Sequence, residues 1–359
     1  MRYLNLGTVG ARESQAVYHA LAELMEPGDP VTLVTVSPDS PYVCVGYHQV
    51  ASREVDRCYC EAHNIPVGRR MVGGGAVWLD HDQIFWHLIM PRRNLAIDAL
   101  YRQFLAAPVT AYQRMGIQAA HRPVNDIVVG PRKIGGTGAS TMENADLLVG
   151  SIMMDFNTEA MARVLNVPSE KFRDKMVSSL KDYMTTVKRE LGSRAPSRED
   201  ATRQLVEAFA EVLGERLVAD VLTANETERL HYYADLLFDP KFVYRREGYL
   251  QPGIKIRDGV RLLEGVHKAP GGLVRVVWRE TEGRVDDIVI GGDFFVDPAD
   301  ALAKLEDQVR GVPADPERIE AVLREAWRNL DAPGVSAGDI IQAFKQGQTL
   351  EPSRSGDRV

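Results

Sequence analysis

Residues 69–80 read RRMVGGGAVWLD, two arginines ahead of three consecutive glycines, with apolar residues of strand character behind them. Three adjacent glycines add no side-chain area and cost backbone entropy, so packing does not explain them. Gly73, Gly74 and Gly75 offer a tight turn with bare N–H groups, which suits an anion. Arg69 and Arg70 add delocalised positive charge and a fork that fits a carboxylate or a phosphate. A second stretch, residues 125–140, reads NDIVVGPRKIGGTGAS. Here Lys133 is a compact ammonium followed by Gly135 and Gly136, so nothing bulky blocks a ligand. Asp126 is a natural Mg²⁺ ligand beside phosphates, because magnesium keeps several waters and takes one or two protein oxygens. A third stretch, KMVSSLKDYM at residues 175–184, offers Lys175, Lys181 and the pair Ser178–Ser179. Each piece also has a plainer reading: a glycine-rich hairpin with solvated arginines, turn chemistry at Asn125–Asp126, and a solvated basic helix end.

The chain's 359 residues suggest two domains, and 45% hydrophobic with 26% charged residues is ordinary for a soluble globular protein. No apolar run reaches the ~18 residues of a membrane span. The opening MRYLNLGTVG lacks the apolar core of a signal peptide, so it reads as mature sequence. A net charge of −7 argues against a nucleic-acid surface. Cys44, Cys58 and Cys60 are too few and too closely placed for a disulfide framework or a zinc finger, which fits a cytoplasmic location. There is no Walker P-loop. Thr141 stands where a dinucleotide-binding fingerprint needs its third glycine.

Around these motifs the pattern predicts a first helix over residues 14–24, with Ala16, Ala20, Leu21 and Leu24 on one side. Strands are expected over 31–36 and 42–46, with His48 in a surface loop after the second. A hairpin is expected from 73–79 and 84–90, then a helix over 99–115 that Pro108 kinks or restarts. Strands at 127–129 and 147–156 flank the lysine motif, and a short helix begins at Thr158. Ser197/Asp200 and Thr223/Glu226 read as helix starts. The first leads a helix carrying Leu205, Phe209, Val212, Leu213 and Leu217; the second leads one that ends near Phe238. A domain boundary is set at Asp239–Pro240. Beyond it come strands at 274–278 and 286–290 and three helices opened by Asp297–Pro298, Asp315–Pro316 and Ser336/Asp339. Residues 351–359 read as a flexible tail.

RRMVGGGAVWLD followed by ND-x6-KIGG resembles the lipoate–protein ligase branch of the biotin/lipoate ligase superfamily. KMVSSLKDYM is similar to that family's adenylate-covering loop, and GRVDDIVIGGDFF at residues 283–295 to its accessory-domain signature. The resemblance implies an α+β fold, a mixed and mainly antiparallel sheet with flanking helices over residues 1–238. A small α/β accessory domain over 239–350 follows. It implies a ligase that uses ATP and Mg²⁺ to join lipoate (or octanoate) to AMP. Lipoyl-AMP is then transferred to a lysine of a lipoyl domain or a glycine-cleavage-H-like protein. Lys133 would contact both the acyl carboxylate and the phosphate. Arg69, Arg70, Gly73–Gly75, Ala76, Asn125, Gly135 and Gly136 would surround the adenylate, Lys175, Ser178, Ser179 and Lys181 would cover it, and Asp126 would hold the metal.

Two departures bear on the acyl-tail pocket. Val149–Gly150 stands where the family has a histidine, and His81–Asp82–Gln83 follows Asp80 in place of glycine and asparagine. Octanoyltransferases of the superfamily carry a nucleophilic cysteine after the lysine motif, whereas all three cysteines here precede the glycine loop. A cysteine-dependent octanoyltransferase and a non-catalytic adenylate- or acceptor-binding protein are the alternatives.

Overall fold

An eight-stranded sheet organises the first two thirds of the chain; the computed structural model describes residues 1–167, 169–247 and 260–349. Its strands run in the order Val218–Asp220, Arg2–Val9, Thr32–Pro38, Gln83–Pro91, Ala145–Met153, Arg132–Met142, Asp126–Val129 and Ala120–Arg122. Arg2–Val9 is parallel to both its neighbours, and every other pairing is antiparallel. The fold is the mixed, mainly antiparallel α+β arrangement implied by the sequence. A small sheet sets Tyr42–Val45 between Val67–Arg69 and Val77–Leu79. Further on, an antiparallel sheet of Arg284–Gly292, Gly272–Thr281, Val260–Ala269 and Gln348–Thr349 packs with three helices, Ala301–Val309, Pro316–Ala326 and Ala337–Lys345.

The first helix, Ala11–Glu23, lies between the large sheet and the helix Ala224–Leu236. Every residue from Ser14 to Ala22 is buried, so the helix is covered on far more than the one expected side. Its polar residues must therefore find partners inside. Gln15 Nε2 donates to the Tyr18 hydroxyl at 2.7 Å, and the Tyr42 hydroxyl donates to Gln15 Oε1 at 3.2 Å.

The expected hairpin does not form. Val77–Leu79 pairs with Tyr42–Val45 in the small sheet, whereas Gln83–Pro91 enters the large sheet between Thr32–Pro38 and Ala145–Met153. Side chains divert the chain here. The Asp80 carboxylate accepts from Trp78 Nε1 at 2.6 Å and from the Asp82 amide at 3.1 Å, and Gln83 Nε2 donates to the Trp78 carbonyl at 3.1 Å. Such local bonds compete with a hairpin ladder.

Pro108 falls in the first turn of a new helix, Ala106–Arg114, after Ile97–Phe104 has ended. Ser197, Thr223, Asp315 and Ser336 each accept an amide at a helix start, as expected. The helix after Ser197 stops at Gly214, in the left-handed region at φ +66°, before reaching Leu217. Asp297 opens no helix. Its backbone is tied in both directions to Asp331 at 2.8 Å, and the helix starts only at Ala301. Residues beyond Asp239 pack with the earlier part: Val243 and Tyr244 join the core of the small sheet, and Phe242 and Phe295 join the main core. The tail at 351–359 lies outside the described residues.

Candidate active site

Arg132–Met142 carries three glycines that weaken it as a strand, and each leaves room for something to approach. A Cβ on Gly136 would lie 3.2 Å from both Cε and Nζ of Lys133, so the lysine side chain rests on that bare position. From there Lys133 Nζ meets Asp126 Oδ1 at 2.7 Å. Asp126 stands opposite Gly136 on one neighbouring strand and opposite Arg122 on the other side of its own hairpin. Arg122 Nη2 reaches Asp126 Oδ2 at 2.7 Å, and the Tyr183 hydroxyl donates to the same oxygen at 3.2 Å. Burial pushes the Asp126 carboxyl up, but Lys133 and Arg122 outweigh it and hold it below the usual carboxylate range. Its favourable pairing is thus present above that range and is lost as pH falls through the lowered value. Asn125 is locked to the lysine strand: its Nδ2 donates to the Thr137 carbonyl at 2.5 Å and its carbonyl accepts from Thr137 Oγ1 at 2.7 Å.

The glycine loop lies across the same strand, because a Cβ on Gly138 would meet Val72 Cγ1 at 2.8 Å. Arg70 braces the loop from within. Its Nη2 donates to the carbonyls of Gly73 at 2.9 Å and Gly75 at 2.8 Å, and its Nη1 to Cys44 at 3.2 Å. Gly74 needs its φ of +93°, a value that favours glycine. The Gly74 amide donates to the Phe294 carbonyl at 3.3 Å, and Gly73 has no room for a side chain against that carbonyl. Gly75 and Ala76 are half-buried and continue into the strand Val77–Leu79. Arg70 therefore shapes the loop as well as charging it.

Residues 11–210, more than half of the chain, match the lipoyl protein ligase A/B catalytic domain. The chain belongs to the lipoate–protein ligase family. It is 29% identical over 252 residues to lipoate-protein ligase A subunit 1 of Thermoplasma acidophilum, spanning 67% of this chain and 93% of that one. It is 28% identical over 253 residues to octanoyltransferase LipM of Kyrpidia tusciae, spanning 63% of this chain and 92% of that one. A solved chain from an archaeal lipoylation system matches with a TM-score of 0.63 at 27% identity, over 70% of this chain and 98% of that one. That system is a bipartite lipoate protein ligase and its E2 lipoyl domain from Thermoplasma acidophilum.

Within this lipoate ligase family member, Arg69, the segment 175–183 and His48 stand otherwise than expected. Arg69 does not face a ligand. It is fully buried and donates to the carbonyls of Val243, Gly46, Tyr47 and Gln49 at 2.5–2.9 Å, which leaves its fork no anion to bind. Residues 175–183, expected in a covering loop, belong to a helix, Glu170–Tyr183. Lys175, Ser178, Ser179 and Lys181 are all exposed on it, and Lys181 pairs with Glu159 rather than turning to Lys133. Arg173, not singled out from the sequence, anchors that helix by donating to the carbonyls of Arg163 at 3.0 Å and Leu165 at 3.3 Å. His48 is not a surface residue: it is 2% exposed, lies parallel to the Phe294 ring at 6.2 Å and accepts from the Gly292 amide through its carbonyl.

Sequence reasoning also passed over His19, Arg122 and Tyr183. His19 Nε2 accepts from the Met71 amide at 3.1 Å, so its proton sits on Nδ1, which donates to the Gln15 carbonyl at 3.0 Å. That bond fixes the backbone beside Arg70. Arg122 had one available signal, an arginine four residues before Asp126, at hairpin distance.

Burial holds the imidazoles of His19, His48 and His87 neutral, each with its pKa lowered from 6.5 to about 3. The unfolded chain protonates these groups below its ordinary value while the folded chain does not, so stability should fall as pH drops from 6.5 toward about 3. His87→Gln should lose less stability than wild type between about pH 7 and about pH 5 in urea titrations. Identical losses in the two proteins would show that His87 titrates normally.

Proposed function

We propose that the chain is an ATP-dependent lipoate–protein ligase. It would form lipoyl-AMP and pass the lipoyl group to a lysine of a lipoyl domain or H-protein-like acceptor. The observation that carries this reading is the Lys133 ammonium resting on Gly136, 2.7 Å from Asp126, on the strand that the Arg70-braced loop crosses. Residues 1–238 would be the catalytic part and 239–350 the accessory part.

In the first step a lipoate carboxylate oxygen bonds to the α-phosphorus of ATP and pyrophosphate leaves. Two anions must meet, and charge builds on the phosphoryl oxygens, so a preorganised cation lowers the barrier. Lys133 supplies it. In the second step the neutral amine of the acceptor lysine attacks the acyl carbonyl and AMP departs with the bonding pair, leaving the proton of the new amide nitrogen to be lost. Among the described residues no three His, Cys, Asp or Glu side chains are grouped for a metal. One carboxylate beside phosphates is nevertheless the donor set Mg²⁺ takes. Asp126 would hold it, and the ion would neutralise phosphate charge.

The LipM relatives support a second reading, a cysteine-dependent octanoyltransferase. That chemistry needs a thiolate. Burial pushes the Cys44 thiol up and the Cys60 thiol to about 12, and no cysteine follows the lysine motif. A variant with Cys44→Ala, Cys58→Ser and Cys60→Ala should keep ATP-, Mg²⁺- and lipoate-dependent modification of a lipoyl domain, read by intact mass. ATP-independent transfer from octanoyl-acyl carrier protein that disappears in this variant would establish the second reading instead.

A further inference from the structure

The carboxylate of Asp126 is shared by two cations, Lys133 on Oδ1 and Arg122 on Oδ2, both at 2.7 Å. One carboxylate against two cations leaves one positive charge uncompensated, in a chain whose net charge is −7. The Arg122 side chain is 37% exposed, and an ion pair that open contributes little to stability. Its guanidinium is nonetheless held in a defined place. Nη2 also donates to the Tyr183 hydroxyl at 2.8 Å, and Nη1 to the Pro131 carbonyl at 3.3 Å. Tyr183 ends the helix Glu170–Tyr183, and two residues later the Thr185 amide donates to the Lys133 carbonyl at 2.8 Å. The helix end, Arg122 and Lys133 are thus tied around a single carboxylate.

We propose that Arg122 is a second phosphate-binding cation of this site, with Tyr183 as the residue that positions it. The assignment rests on the ATP-dependent reading above. In the free enzyme Arg122 neutralises Asp126. Phosphate oxygens compete with the Asp126 carboxylate for this guanidinium, and a metal ion held by Asp126 would release it to them. A planar fork suits two oxygens of one phosphate, or oxygens of adjacent phosphates, better than a point charge does.

The test is calorimetric binding of α,β-methylene-ATP with Mg²⁺, and separately of lipoate alone, to the full chain and its Arg122→Gln, Arg122→Lys and Tyr183→Phe variants. Arg122→Gln should bind the nucleotide analogue about tenfold or more weakly, as losing a charge-assisted contact implies, and lipoate unchanged. Arg122→Lys should fall between. Tyr183→Phe should raise the KM for ATP more than it lowers kcat in pyrophosphate release. Analogue affinity within about twofold of wild type in Arg122→Gln, or equal weakening toward lipoate and analogue, would overturn the assignment. Wild-type chain that binds lipoate but no analogue would overturn the ATP-dependent reading, and this assignment with it.

Discussion

Lys133→Ala should slow both half-reactions by about two to three orders of magnitude, the effect of removing one preorganised charge from where charge develops in the transition state. The ammonium lies on Gly136 beside Asp126, where carboxylate and phosphate oxygens would converge, and no other lysine among the described residues makes an ion pair with Asp126. On the proposed mechanism the same charge would serve adenylate formation and, as AMP leaves, acyl transfer. Lys133→Arg should rescue poorly. A planar fork does not reproduce the compact ammonium that rests on Gly136 and meets Asp126 Oδ1. Lys175→Ala and Lys181→Ala, on the exposed helix, should leave the chemical steps within a few-fold of wild type. Single-turnover rates with ATP plus lipoate, and with supplied lipoyl-AMP, measure the two steps apart. A Lys133→Ala enzyme as fast as the Lys175→Ala enzyme in both would remove the residue from the mechanism.

Arg69→Met should produce the largest loss of stability, on the order of 3–5 kcal/mol by urea denaturation. The guanidinium is the hub of four carbonyls; the replacement leaves Gly46 only its bond from the Gln49 amide and takes the Arg69 donor away from Val243, Tyr47 and Gln49. Arg69→Lys should recover only part of this, since an ammonium lacks the planar reach to serve Val243 and the Gly46–Gln49 turn together. The catalytic rate per folded molecule should change far less than in Lys133→Ala. A loss below about 1 kcal/mol would mean that water or relaxation satisfies the carbonyls, and that Arg69 is available to a ligand after all.

The two neighbouring arginines show where sequence reading stops. Their residue type signals an anion site, and nothing in RR distinguishes the one that braces the glycine loop from the one buried among the carbonyls of residues 46–49 and 243. The difference arises from strand alternation at Val67–Arg69 and from where residues 46–49 and 243 arrive, which are tertiary facts. The helix starts were legible because a cap is local: Thr223 and Glu226 satisfy each other's amides within one turn. The lysine strand was not, because Gly135, Gly136 and Gly138 argue against a strand until the side chains of Lys133 and Val72 are seen to need their space. The false hairpin had the same origin. Its two halves have strand composition, but their partners lie elsewhere in the chain, at Tyr42–Val45 and at Thr32–Pro38 and Ala145–Met153. Residues 175–183, expected as a loop, are helical, and Arg173 ties that helix to the carbonyls of Arg163 and Leu165, contacts that its lysines and serines do not announce.

The hydrogen bond from Gly74 to Phe294 ties the glycine loop to the four-stranded sheet, and Phe295 follows it into the main core, 5.9 Å from Tyr101 between ring centroids. Gly74 has one N–H. Any ligand oxygen that takes it must first release the Phe294 carbonyl, so the two compete for one donor. Competition of this kind is reciprocal: the factor by which a seated Phe294 weakens a ligand at Gly74 is the factor by which that ligand weakens the seating. The grip of Phe294 on the loop is in that sense a binding constant in its own right, set against every substrate that reaches for the same amide.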